Sequence, residues 1–188
     1  QGLIYTEDKR WQYVFETWFE REGQREEWST LAKQKGWDSW REWRSAWVAH
    51  IGAENRTWKR YEILDPVQSV PHFLIGPTQS WQQHFVDAEK NTHTFATLVE
   101  RVSYEQNEKV QAILEHFPQP TEFIGVLLHD KRIMLIEGHH RATALALAEK
   151  KQRNLHIVIP PTIVLTECTE KDRILLDIML QKGSARPS

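Results

Sequence analysis

Over the first third of the chain, apolar residues recur at helical spacing; further on, the spacing becomes that of strands. Trp11, Val14, Phe15, Trp18 and Phe19 recur three and four apart with charged residues between them, which predicts an amphipathic helix. A second helix is predicted over REEWSTLAKQK, closing at Gly36. A third follows in WDSWREWRSAWVAHI, where Trp37, Trp40, Trp43, Trp47 and Ile51 share one broad face. From Thr57 the pattern changes. TWKRYEIL reads as a strand stopped by Asp65-Pro66, and SVPHFLIGP as a second extended run ended by Gly76-Pro77. SWQQHFVDAEK reads as a helix, whereas THTFATLVERV fits neither period cleanly. Ser103 and Gln106 spell a capping box for a helix over YEQNEKVQAILEHF, which ends before Pro118.

EFIGVLLHDKRIMLIEG then gives two apolar runs separated by a polar turn, the pattern of a β-hairpin. A helix from about His139 to Lys151 follows at once, and NLHIVIPPTIVL returns to strand with an interruption at Pro160-Pro161. Thr169 and Asp172 cap a last helix, EKDRILLDIML, and the tail GSARPS reads as disordered. The expected class is α+β. A Trp-rich helical region over residues 1–56 precedes an α+β domain over 57–182, and 183–188 form a flexible tail.

Composition alters this picture in one respect. Of nine tryptophans, eight lie between Trp11 and Trp58, so the front differs in character from the rest. With 27% charged residues and a net charge of −2, the whole chain is no polycation, and only a local basic patch would serve nucleic acid. Cys168 is the single cysteine, which excludes an intrachain disulfide or a multi-cysteine metal site, and nothing cationic flanks it before Lys171 to activate its thiol. No apolar run approaches the roughly 20 residues of a membrane span, and the opening residues lack a secretory h-region. A cytoplasmic protein with no membrane partner is expected.

The chemistry concentrates in IEGHHRATALALA. A helix that starts after Gly138 offers unpaired N–H groups and the positive end of its dipole, a ready anion site. Gly138 permits the tight turn and close approach of a ligand. Arg141 adds a planar fork suited to phosphate oxygens. His139 and His140 can donate, accept or bind metal. Glu137 could hold Mg²⁺ or its water, or orient a histidine. Equally, Glu137 and Arg141, four apart, fit a helix-surface ion pair with one histidine buried. A second wall is expected from Gly76-Pro77, where backbone amides are presented, and from Thr78 or Ser80, whose hydroxyls can donate to phosphate.

The stretch from Ile124 to Ile159, read with these residues, resembles the core of the ParB/sulfiredoxin-like superfamily. In that family a β-hairpin runs into a strand–Gly–x–[His/Arg]–Arg–helix element, here Glu137-Gly138-His139-His140-Arg141. The resemblance spans about residues 110–165, more weakly back to Thr57. It implies a mixed sheet with flanking helices and a nucleoside triphosphate, ATP or CTP, bound with Mg²⁺. It assigns Glu137, His139 and His140 to catalysis and Gly138, His140, Arg141 and Thr143 to the phosphates. Sulfiredoxins need a cysteine right after the glycine, where this chain has His139. Partition ParB proteins continue into a helix-turn-helix domain, whereas this sequence stops one helix after its last strand. The His-His motif is similar to that of plasmid fertility-inhibition ATPases and nucleases, and of free-serine kinases.

Three functions follow as expectations. The first is a nucleotide phosphohydrolase, with nuclease activity as an extension. The second is a small-molecule kinase, with Glu62, Asp65 or His72 as the base near the acceptor hydroxyl. The third is a non-enzymatic nucleotide-sensing or DNA-associated regulator. For that role, Arg41, Arg44, Arg56, Lys59 and Arg60 would form a basic edge beside Trp58, and the indole-rich front would dock a protein or a second copy. The interleaved WDSWREWRSAW also suits base stacking, but its single aromatic stripe fits a core face better.

Overall fold

A computed structural model describes residues 2–85 and 92–187. Its centre is a five-stranded mixed sheet in the order β1-β2-β5-β3-β4, made of β1 (Leu3–Lys9), β2 (Trp58–Ile63), β3 (Glu122–Leu127), β4 (Ile133–Glu137) and β5 (Thr162–Glu167). Neighbours are antiparallel except β3 and β5, which run parallel through a crossover containing the helix after β4. The nine helices of the described residues are α1 (Trp11–Trp18), α2 (Glu26–Gln34), α3 (Trp40–Ala49), α4 (Pro66–Ser69), α5 (Gln79–Gln82), α6 (Phe95–Arg101), α7 (Glu108–Glu115), α8 (His139–Lys150) and α9 (Glu170–Lys182). None is long and apolar enough to cross a membrane.

Strand alternation distributes the core between two layers. Phe123, Leu135, Ile163 and Leu165 face one way, against α6, α7 and the alanine-rich α8. Ile124, Val126, Met134, Ile136 and Val164 face the other, against the tryptophans of α1 and α3 and against Leu176 and Met179 of α9. Because β3 is covered on both faces, it reads as an unbroken apolar run and not as an alternation. The indole stripe of the front is therefore a core face. Trp18, Trp40, Trp43, Trp47 and Trp58 are all buried, so this stripe is no platform for stacking bases.

The helical front departs from expectation at its start, where β1 forms the sheet edge against β2. Residues 1–56 thus contribute a strand as well as helices, and their side chains share one core with the strands. SVPHFLIGP is not a strand. It forms the end of α4, a 3₁₀ turn over Val70–His72 and two isolated bridges of Leu74, antiparallel to Thr94 and parallel to Met134. Pro71 supplies no N–H for a ladder, which favours the turn. Of the helix expected over SWQQHFVDAEK only α5 is observed, and residues 86–91 lie outside the described residues. The ambiguous THTFATLVERV contains α6, capped by Thr94. The capping box of Ser103 and Gln106 is not used: α7 starts at Glu108, where the Asn107 side chain accepts from the Val110 N–H at 3.0 Å. Strand β5 begins only after Pro160-Pro161. The tail is docked instead of free: Ser184 O accepts from Trp37 Nε1 at 3.0 Å, and the Arg186 N–H donates to Lys35 O at 2.8 Å.

A π-helical turn over Phe19–Gly23 extends α1 and carries Glu22 into the tryptophan layer. There its carboxylate accepts from Trp18 Nε1 and Trp40 Nε1, each at 3.0 Å, and pairs with Arg44. The Arg44 guanidinium lies 4.0 Å from the Trp43 ring centre and within 5.6 Å of Trp18, Trp28 and Trp47. A buried pair tolerates its desolvation only when its remaining donors and acceptors find partners, and the indoles supply them.

Candidate functional site

The hairpin β3–β4 delivers the chain to Gly138, which caps α8 with φ +105°. A Cβ there would stand 2.3 Å from Phe123 Cδ1, so conformation and space both demand glycine. The backbone N–H groups of His139, His140 and Arg141 have no acceptor among the described residues, since the first bond closing the helix runs from Ala142 N to Gly138 O. This first turn opens into a cleft of about 920 Å³, within the usual range of ligand sites. Gly138, His139, His140 and Arg141 line one side, and Thr78, Ser80 and Trp81 lie beside them. The tryptophan-rich front contributes Arg25, Trp28, Lys35, Trp43 and Arg44 to the lining.

The two histidines differ. His139 is buried, its Nε2 accepts the Gly76 N–H at 3.1 Å, and its ring stacks on Trp81 with centres 5.3 Å apart. Burial, reinforced by the positive charges of Arg44 and Arg141, pushes its pKa down to about 3. Its Nε2 lone pair is committed to the loop, so His139 is a positioning residue and not the expected catalytic one. His140 is partly exposed to the cleft, stands edge-on to Trp81 at 5.0 Å, and is pushed down to about 4, mainly by burial. It is neutral near pH 7 and is the histidine left for contact with a ligand or a water.

Arg141 donates to Glu137 Oε1 and, at 3.2 Å, to the Glu122 carbonyl, with its guanidinium over the Phe123 ring. The ion pair foreseen as the plain alternative is thus formed, but it is sunk in the cleft wall, where the two side chains are only 12% and 14% exposed. Glu137 Oε2 is buried without a hydrogen-bond partner. No cluster of three His, Cys, Asp or Glu able to hold a metal occurs among the described residues. The donors therefore fit no resident Mg²⁺: Glu137 offers one oxygen, beside a guanidinium.

Two expected phosphate contacts are absent. Thr143 is fully buried and its hydroxyl donates back to His139 O at 2.8 Å, one turn earlier in α8. Gly76 spends its N–H on His139, and a Cβ there would stand 1.9 Å from Leu135 O, so its close approach serves packing. The kinase candidates Glu62, Asp65 and His72 are not among the residues lining the cleft. The basic edge is also neutralised: Arg41 pairs with Glu16, Arg44 with Glu22, Arg56 with Asp172, Arg60 with Glu7 and Glu122, and Lys59 more loosely with Glu167. Cys168 is buried, which pushes its thiol up to about 11 and leaves it inert at neutral pH.

Sequence reasoning missed Trp81, Arg25, Lys35 and Lys109 as cleft residues. Trp81 was detectable as the one tryptophan outside the front. The cations were not, because only tertiary packing brings α2 and α7 to the cleft.

The site thus belongs to the class of cationic clefts at the start of a helix that follows a strand. Comparisons with protein-family models, with curated proteins and with solved structures find no match. Its assignment rests on the residues themselves.

Proposed function

We propose that this chain binds a phosphate-bearing small molecule at the start of α8, a nucleoside triphosphate (ATP or CTP) being the first candidate, as a member of the ParB/sulfiredoxin-like superfamily. The observation carrying this reading is the free first turn of α8, which opens into a ligand-sized cleft beside two hydroxyl residues. Phosphate oxygens accept from the N–H groups of His139, His140 and Arg141, with the helix dipole behind them and the Arg141 guanidinium alongside. Thr78 and Ser80 donate from the adjacent loop. Mg²⁺ enters bound to the phosphates, as it does where a protein offers few ligands, because Glu137 is paired with Arg141 and its Oε2 is buried.

If turnover occurs, it is phosphohydrolysis, and His140 is the group to accept a proton from the attacking water. Non-enzymatic nucleotide sensing is the second reading. It is favoured by the commitment of His139 to Gly76 and of Glu137 to Arg141, which leaves a single candidate base.

Thermal unfolding with millimolar ATP or CTP, with and without Mg²⁺, tests the binding. A melting temperature raised by several degrees, and lost in Arg141→Ala and in the milder Thr78→Val, is the expected outcome. No shift with any nucleotide overturns the reading. Release of phosphate that His140→Ala abolishes separates hydrolysis from sensing.

A further inference from the structure

Four ion pairs of the described residues contribute side chains to the cleft lining, and they differ in how firmly they are held. In Arg141–Glu137, Arg44–Glu22 and Arg21–Glu122 the carboxylate is sunk among other side chains. In the fourth, Lys109 Nζ lies 3.1 Å from Glu27 Oε1, and the two side chains are 51% and 49% exposed. Breaking a buried pair strands a charge away from water, whereas the members of an exposed pair are almost as well served by solvent. Of the four, the Lys109–Glu27 pair is the one that can release its cation to a ligand at little cost to the fold.

This pair also stands close to the start of α8. Lys109 lies in the first turn of α7, which packs along α8, and its ammonium is 5.1 Å from the centre of the Trp28 ring on α2. It lines the same cleft as His140. After burial, the charge of Lys109 is the largest influence holding His140 below its ordinary pKa, and Glu27 acts on the same ring in the opposite sense. The clasp between α2 and α7 is therefore within electrostatic reach of the first turn of α8, and Glu27 gives Lys109 a carboxylate there when no ligand is bound.

We propose that Lys109 is a further anion-binding residue of the α8 site, held in reserve by Glu27, and that this exchange selects ligands with a multiply charged phosphate over singly charged phosphodiesters. This rests on the reading of the α8 entrance as a phosphate site and adds which phosphates it takes. Rotation of one side chain carries the ammonium from the carboxylate to a phosphate oxygen. The compact charge and flexible stem of lysine suit such a move. A phosphomonoester or a terminal polyphosphate group carries two or more negative charges and out-competes the single charge of Glu27. A phosphodiester, with one charge, only matches it. Free nucleotides and small phosphomonoesters then qualify, and the internal backbone of a nucleic acid does not.

Calorimetric titration with inorganic pyrophosphate and with dimethyl phosphate, each with and without Mg²⁺, tests this on the whole chain and on Glu27→Gln, Lys109→Gln and the double variant. Both side chains are half in solvent, so these changes leave the core intact. The unaltered chain should bind pyrophosphate about tenfold tighter than dimethyl phosphate. Glu27→Gln, which frees Lys109, should tighten pyrophosphate about threefold. Lys109→Gln should weaken it several-fold and narrow its lead over the diester. The double variant should bind like Lys109→Gln alone, because Glu27 acts only through its partner. If Glu27→Gln leaves affinity unchanged, or tightens it equally with and without Lys109, the exchange is refuted. If pyrophosphate binds in a Thr78-dependent manner and Lys109→Gln has no effect, Lys109 is no binding residue and the α8 site stands. If pyrophosphate binds in neither condition, the α8 site fails together with the exchange.

Discussion

His139 sits where the site motif and the scaffold meet, and its protonation state is set by what surrounds it. Its folded-state pKa, about 3, lies below the ordinary 6.5 because the ring is buried, with His140, Arg44 and Arg141 close by. His140 is lowered to about 4 and His50 is lowered as well, both chiefly by burial. Above pH 6.5 the folded and unfolded forms carry these histidines neutral alike, so they give no pH dependence. As pH falls below 6.5 the unfolded chain takes up protons that the fold refuses, and stability declines. Each such histidine contributes a slope of up to about 1.4 kcal/mol per pH unit. The carboxylates held low by arginine or lysine, such as Glu16 and Asp172, add to the loss only nearer their own ordinary values. Denaturant unfolding between pH 7.5 and 5 should show this decline, and His139→Gln, which preserves an acceptor for Gly76, should flatten it. An unchanged slope in that variant would mean that His139 is protonated in the fold.

Among the elements, the helices that reveal most are those whose start differs from the sequence pattern. Ser103 and Gln106 carry the letters of a capping box, but Tyr104 is buried against Trp81 and the helix waits for Asn107. Asn107→Ala should cost about 1 kcal/mol in denaturant unfolding, while Ser103→Ala should be nearly neutral. The reverse ranking would place the start of α7 four residues earlier. By contrast Thr169 and Asp172 do form the capping box expected of them, and the hairpin β3–β4 and helix α8 lie where the pattern put them. Local signals succeeded where the chain is regular on both sides of a turn. They failed at SVPHFLIGP and at β1, where a pair of isolated bridges or a largely exposed edge strand depends on partners far away in sequence. For the site, Gly138 to Arg141 were legible because a helix start is local. The commitment of His139 to Gly76, 63 residues away, was not.

Across the whole molecule, the tryptophan-rich front is one of two layers enclosing the sheet. Trp11, Trp18, Trp43 and Trp58 share a core with Ile124, Met134 and Val164. A chain reduced to residues 57–188 would lose β1 and uncover that apolar face of the sheet, far more surface than a monomer tolerates. It should be expressed as an aggregate or a molten species without a cooperative melt, whereas the whole chain should unfold in one transition. A soluble, cooperatively folded 57–188 fragment would show that the front is an independent unit. The front's cationic residues were visible as letters but not as part of a cleft lining, because their place depends on this layering.

One hydrogen bond, from the Gly76 N–H to His139 Nε2, fastens the loop bearing Thr78 and Ser80 to the helix bearing Arg141 before any ligand arrives. These groups need not be gathered at the moment of encounter, and little freedom is left for an incoming anion to take away. On the proposed reading, capture at this end of the cleft would be governed by diffusion and long-range attraction, without waiting for a closing motion.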